Sequence, residues 1–249
     1  MFRYFVALLL PLVVISHPVG RSLLPLDCED VYQNGSVHNG VYTIYPTTED
    51  KPVEVYCDMG CTEDENHEDG QWTVFQRRLD GTVSFYRPWH DYKTGFGSKN
   101  GEYWLGLETI FRLTWRGKYE LRVDLEDWER GRVYAHYPSF SIDSEDDGYT
   151  LRLSGYVDGG AGDSLHRVNA MKFSTYDKDQ DNYGYVNCAE RYHGGFWFGD
   201  CHYANPNGLY KGKGPVESYT GVMWYDWKGY VYSLKSITMK IKRVSLSEA

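Results

Sequence analysis

Residues 177–202, DKDQDNYGYVNCAERYHGGFWFGDCH, hold the side chains of this sequence best suited to chemistry. Asp177, Asp179 and Asp181 stand at alternate positions and run into Cys188, and an aromatic, Gly-rich bridge then leads to Cys201 and His202. Carboxylates two residues apart in an extended or turning loop can offer oxygens to one hard cation, and Ca²⁺ takes about six to eight of them. Two cysteines so close in sequence suit a short disulfide loop. Together these features predict a stapled, calcium-ordered binding pocket with aromatic walls. An isolated D-x-D-x-D would read instead as a solvated acidic loop.

A second constellation, Gly162-Asp163-Ser164-Leu165 followed by His166, imitates a hydrolase nucleophile motif. A nucleophilic serine needs a base oriented by a third group, and in such hydrolases it follows an early strand at a tight turn. Here the motif lies mid-chain in a Gly-rich loop, and adjacent Ser and His rarely set imidazole against hydroxyl. The expectation is no enzymatic activity.

The elements that must position these residues read as an α+β fold. Tyr119, Leu121, Val123 and Leu125 alternate with polar residues, as do Tyr149, Leu151 and Leu153. Ile237, Met239 and Ile241 alternate with Thr238, Lys240 and Lys242, which predicts a strand buried on one face. A helix is predicted over 107–113, where Leu107, Ile110 and Phe111 share a face. The second half is rich in Gly, Asn and Asp, and long irregular regions of that kind are usually functional or metal-ordered.

The chain has 249 residues, 23 of them Tyr, and a net charge of −9. Without a basic run or stripe it lacks the cationic footprint of a nucleic-acid binder. Arg3 and a short apolar run ending at Ser16 predict a signal peptide over 1–16 and a secreted, soluble product. A short arm over 17–27 follows, and no later segment is apolar enough to cross a bilayer. Secretion implies that most of the five cysteines pair. Proximity favours Cys188 with Cys201, and one of Cys28, Cys57 and Cys61 is left over, as an intermolecular bridge or an unpaired thiol. A zinc site from Cys57, Cys61 and His67 lacks a matching second half. Asn34-Gly35-Ser36 is an N-glycosylation acceptor pattern.

The runs DCEDVYQNG, GVYTIYP, VYCDM, WTVFQRRLDGTVSFYRPWHDYKTGFG, GEYWLGLETI, DGYTLRLSGY, KFSTYDKDQD, FWFGDCHYANPNGLY and YSLKSITMKIKR, in this order, resemble the fibrinogen C-terminal-like domain. The resemblance places that domain at 28–245. It implies a small disulfide-bonded N-terminal lobe, a central antiparallel sheet with flanking helices, and a loop-rich lobe holding calcium and a ligand pocket. It implies the disulfides Cys28–Cys57 and Cys188–Cys201, leaving Cys61 as the extra cysteine. Carried over, Asp179 and Asp181 supply side chains to Ca²⁺, with carbonyls from Tyr183 and Tyr185.

The resemblance also implies a cis bond at Asp200–Cys201, turning the N–H groups of Cys201 and His202 toward an acetyl carbonyl oxygen. Tyr192, His202 and Tyr219 then wall in the methyl group. This chain reads Ser218-Tyr219-Thr220-Gly221 where the family has Tyr-Ala and two residues including Gly, so Ser218 or Thr220 is the alternative contact. The function implied is that of a secreted extracellular-matrix glycoprotein that binds Ca²⁺ and acetylated carbohydrates. Its partners would be matrix fibre proteins (elastic microfibrils, collagen), and it would be a homo-oligomer. The alternative is a ficolin-like innate-immune lectin recognising acetyl groups on microbial surfaces. The arm HPVGRSLLPLD carries no RGD, so integrin binding is not carried over.

Overall fold

The computed structural model describes residues 24–47, 51–60, 70–214 and 219–244. The expected signal peptide, all but the end of the arm, Cys61, His67 and Ser218 lie outside the described residues. The chain forms α1 (Cys28–Gln33), β1 (Gly40–Ile44), β2 (Val53–Asp58), β3 (Trp72–Arg78) and α2 (Trp89–Thr94). There follow β4 (Phe96–Gly97), β5 (Tyr103–Trp104), α3 (Leu107–Arg116), β6 (Tyr119–Glu126) and β7 (Arg132–Ile142). Next come β8 (Leu151–Ser154), β9 (Val157–Gly159), α4 (Cys188–Arg191) and β10 (Ala204–Asn205). The last described elements are β11 (Met223–Trp224), α5 (Tyr225–Lys228) and β12 (Ser236–Arg243).

The large sheet runs β1-β2-β3-β12-β6-β7-β8, antiparallel at every step, with β5 also on β3, β4 on β5 and β9 on β7. The strand nearest the C-terminus thus lies at its centre, between β3 and β6. In β6 the period-two pattern is complete, with Tyr119, Leu121, Val123 and Leu125 buried. In β12 Ile237, Met239 and Ile241 are buried as predicted, but Lys240 is buried too. Its Nζ lies 2.7 Å from Asp58 and 2.6 Å from Asp124, so the expected solvent face is here covered by an ion-paired cluster. A register shift between Met239 and Lys240, where β12 meets β3, accompanies the break in alternation.

The predicted helix appears as α3 and runs three residues further, burying Leu107, Ile110, Leu113 and Thr114 while Phe111 is only half-buried. Tyr149 is buried but precedes β8, with a left-handed φ of 49°. At the other end Asp27 caps α1, accepting from the N–H groups of Glu29 and Asp30. Cys28 of α1 is bonded to Cys57 of β2, which fastens this small lobe to the sheet.

Aromatic rings join the sheet to the loop-rich half. Phe173 packs 5.1 Å from both Tyr92 and Trp197 and 5.7 Å from Trp104. The indole N–H groups find carbonyls, Trp197 on Tyr149 and Trp104 on Tyr92, so the large rings bury without stranding a donor. Among the described residues no helix is long and apolar enough to cross a membrane.

Candidate functional site

The loop-rich half is anchored on β3 by polar side chains. Gln76 donates to the Pro206 carbonyl and to Asn207 Oδ1, both at 3.1 Å, and Arg78 donates to the carbonyls of Pro206 and Gly208. Asn207 in turn donates to the Gly195 carbonyl, and Asn205 to that of Tyr192. Gly208 is required by close approach: a Cβ there would lie 2.3 Å from the Gly221 carbonyl oxygen. This lattice holds residues 192–208 against the rigid sheet.

The three aspartates divide their work. Asp177 accepts from the Trp89 N–H at 2.8 Å and the Thr175 hydroxyl at 2.7 Å, so it is spent on the start of α2. Asp179 accepts from the Asp181 N–H, and Asp181 accepts from the N–H groups of Tyr183 and Cys188, both at 2.8 Å. Burial, and the Asp179 carboxylate beside it, raise the pKa of Asp181 above the ordinary value; the two N–H donors oppose this. Two carboxylates held side by side in a loop also lined by carbonyls suit a hard divalent cation. The Tyr183 carbonyl accepts from the Tyr185 N–H and retains a second lone pair, and Tyr185 extends its side chain into solvent, 88% exposed. Among the described residues no three His, Cys, Asp or Glu side chains converge on one point. The calcium reading needs only two carboxylates, with backbone oxygens completing the set.

Cys188 opens α4, where Asn187 caps the helix by accepting from the Glu190 N–H, and it is bonded to Cys201. The Asp200–Cys201 peptide bond is cis. Among the described residues neither Cys201 nor His202 donates its N–H to a protein acceptor. His202 is 8% exposed, and among the described residues neither ring nitrogen has a hydrogen-bond partner. Burial lowers its pKa to about 4, a contact with its own backbone opposing, so the ring is neutral at physiological pH. Tyr192 stands edge-on to it at 4.3 Å, with Phe198 at 6.0 Å and Tyr230 at 6.2 Å.

The short β10–β11 pair aligns residues 203–205 with 223–225 beside this aromatic corner. Tyr219 has a φ of 59° and is 46% exposed; its ring meets Tyr230 at 5.1 Å. Tyr192 and His202 are therefore in direct contact, whereas Tyr219 reaches His202 through Tyr230. Asp200 is exposed and Thr220 is buried.

A family model described as the C-terminal globular domain of fibrinogen beta and gamma chains matches residues 24–244. The chain belongs to this fibrinogen C-terminal family. It is 52% identical over 225 residues to microfibril-associated glycoprotein 4 of Bos taurus, covering 88% of this chain and 86% of that protein. Among solved structures it resembles the fibrinogen-like globe domain of human ANGPTL2, with a TM-score of 0.82 and 41% identity over 88% of this chain and 99% of that one. It also resembles lamprey fibrin D-dimer complexed with the peptide Gly-His-Arg-Pro-amide, with a TM-score of 0.77 and 36% identity over 90% and 76% of the two chains.

In this fibrinogen-like domain the hydrolase-like tetrapeptide has another use. Ser164 is fully buried, donates to Asp226 at 2.8 Å and accepts from the Asp226 N–H, tying its loop to α5. His166 faces away: its Nδ1 engages the Asp163 carbonyl and its Nε2 accepts from Arg167. Among the described residues no imidazole is hydrogen-bonded to the Ser164 hydroxyl. The sequence reading did not include Tyr230, the ring between Tyr219 and His202, or Phe198, which also neighbours His202. The pattern W-x-G-Y-x-Y at 227–232, another cluster of aromatics around Gly, was the available signal for Tyr230.

Proposed function

We propose that this protein is a secreted extracellular-matrix glycoprotein whose fibrinogen-like domain binds Ca²⁺ and reads acetylated glycans in the pocket beside it. The observation that carries the reading is the His202 corner. Two neighbouring backbone N–H groups that have no acceptor among the described residues adjoin a buried, neutral ring, itself unpartnered among those residues, with Tyr192 and Tyr230 beside it and the Cys188–Cys201 disulfide linking it to the Asp179–Asp181 loop. An acetyl carbonyl oxygen would accept from the Cys201 and His202 N–H groups, while the methyl group packs on the rings of Tyr192, His202 and Tyr230. Tyr219 and Ser218 would meet the rest of the sugar.

Asp179 and Asp181 would hold Ca²⁺ with the carbonyls of Tyr183 and Tyr185, and the bound cation would neutralise the paired carboxylates. Asp181 already clamps the N–H groups of Tyr183 and Cys188, so order in its loop passes directly to the disulfide and the pocket. The relative's name, microfibril-associated glycoprotein, supports matrix fibre partners and an extracellular setting. It also supports glycosylation, for which exposed Asn34 at the end of α1 is the acceptor. A single small pocket binds weakly, so avidity would come from a homo-oligomer, with Cys61 as the inter-chain bridge. The role is binding rather than catalysis, in line with the engagement of Ser164 by Asp226.

The test is binding of the secreted protein to immobilised acetylated glycans. Binding should need Ca²⁺ and should be competed by N-acetylglucosamine but not by glucosamine. Equal competition by both sugars would overturn the acetyl reading.

A further inference from the structure

Three cationic side chains are buried among the described residues: Arg77, Arg78 and Lys240. A buried cation is ordinarily paired with a carboxylate. Arg78 has Glu102 at 3.5 Å, and Lys240 has Asp58 and Asp124. Arg77, on β3, has no carboxylate within salt-bridge distance among the described residues. Its guanidinium is held instead by the carbonyls of Gly101 and Lys99, to which Nε and Nη2 donate at 2.8 Å and 2.6 Å. The ring centres of Tyr56 and Tyr103 lie 4.0 Å and 5.7 Å from its Cζ. These contacts fix the group without neutralising it. Its Nη1 has no protein partner among the described residues and is not sealed from solvent.

Arg77 stands at a seam in the sheet. β2 pairs with β3 from Trp72 to Val74, and β5 takes up the same edge of β3 at Gln76 and Arg77. The Tyr103 hydroxyl bridges the step, donating to the Val74 carbonyl and accepting from the Tyr56 N–H at 3.2 Å. The turn between β4 and β5 carries Lys99 back over the same tyrosine, its Nζ 4.5 Å from the ring centre. Lys99 is half-buried and also lacks a carboxylate within salt-bridge distance among the described residues. Burial lowers its pKa, and the charge of exposed Glu54 on β2 opposes this from further away. Two cations thus share one ring with one more distant carboxylate, which leaves a local excess of one positive charge in a chain of net charge −9.

We propose that this seam is a docking point for one carboxylate side chain, Asp or Glu, on an acidic segment of a protein partner. The free edge of the Arg77 fork matches a planar carboxylate, and Lys99 would meet the same group as a point charge. Placed arginines are a recurring means of reading acidic motifs. An excess of one positive charge calls for one negative charge, which favours a carboxylate over a doubly charged sulfate or phosphate. Glu54 would compete with the incoming carboxylate for Lys99. The seam uses none of the residues of the His202 corner, so the inference stands independently of the acetyl reading.

The experiment titrates the isotope-labelled secreted chain with the peptide Gly-Glu-Gly-Glu-Gly, its Gln counterpart and inorganic sulfate. Nuclear magnetic resonance follows the Arg77 Nε–H and the backbone amides of Lys99 and Gly101. The Glu peptide should shift these signals saturably, and the Gln peptide should leave them in place. Arg77→Met should abolish the response, but it also removes the two carbonyl bonds that hold the β4–β5 turn. Two milder variants leave those bonds intact. Lys99→Met should weaken binding of the Glu peptide, and Glu54→Gln should strengthen it, each by up to about fivefold. A gain of affinity on Glu54→Gln is a result that a purely structural role for Arg77 and Lys99 does not produce. Unmoved Arg77 and Lys99 signals in wild type would overturn the inference. So would unchanged affinity in both milder variants, or tighter binding of sulfate than of the Glu peptide at Arg77.

Discussion

At the residue scale His202 decides how the pocket behaves. A neutral histidine buried on an aromatic floor titrates in the folded protein only near pH 4, while an unfolded histidine takes its proton near pH 6.5. The unfolded state therefore binds more protons between those values, and His202 destabilises the fold as pH falls from about 6.5 to about 4. The loss amounts to roughly 3 kcal/mol at the lower end. His202→Phe keeps a buried ring and should flatten this part of the profile. Denaturant unfolding of both proteins at pH 7, 5.5 and 4.5 measures it, and parallel pH profiles would remove His202 from the account. The sequence made the cysteines and the aspartate run legible because they act through local spacing. Tyr230 was not, because it reaches His202 from 28 residues away through the folding of β10 against β11.

At the element scale the instructive residue is Lys240 on the central strand. Alternation along β12 assigned it to solvent, yet in the fold it is buried between Asp58 of β2 and Asp124 of β6. No pattern within one strand can show that its neighbours bring two carboxylates to the same spot. Burial alone would raise the Asp58 pKa, but the charge and hydrogen bond of Lys240, with the Gly60 N–H, hold it below the usual carboxylate value. Burial likewise pulls Lys240 down and its two carboxylates more than restore it, so it stays charged above its ordinary range. The depressed Asp58 contributes stability that is present above the unfolded carboxylate pKa and fades as pH falls through its folded value. The raised Lys240 contributes until pH rises through its own folded value. Lys240→Met should cost about 2 kcal/mol at pH 7, since it strips the half-buried Asp58 carboxylate of its bonded cation while Asp124 keeps Arg122. It should also shrink the loss of stability between pH 5 and pH 2. Thermal unfolding across that range checks both, and an unchanged midpoint at pH 7 would contradict the ion-paired reading of this cluster.

At the scale of the whole molecule the domain is a wide antiparallel sheet that carries a loop-rich lobe on its β3 side. The sheet was legible because its strands obey a period of two and bury one face. The lobe has few hydrogen-bonded ladders, so no periodicity encodes it. Gln76, Arg78, Asn205 and Asn207 hold it instead, by side-chain bonds to backbone carbonyls. Under the proposed reading a lobe held that way would depend on its disulfide and on a bound Ca²⁺ for the last degree of order, and this dependence is the central claim. The most direct test is calorimetric titration of the secreted protein with N-acetylglucosamine, with Ca²⁺ and after chelation, in wild type and in Asp179→Asn/Asp181→Asn. Wild type should bind saturably in Ca²⁺ and lose at least about tenfold in affinity on chelation, and the double variant should match chelated wild type in either buffer. Binding of equal strength with and without Ca²⁺ would contradict it.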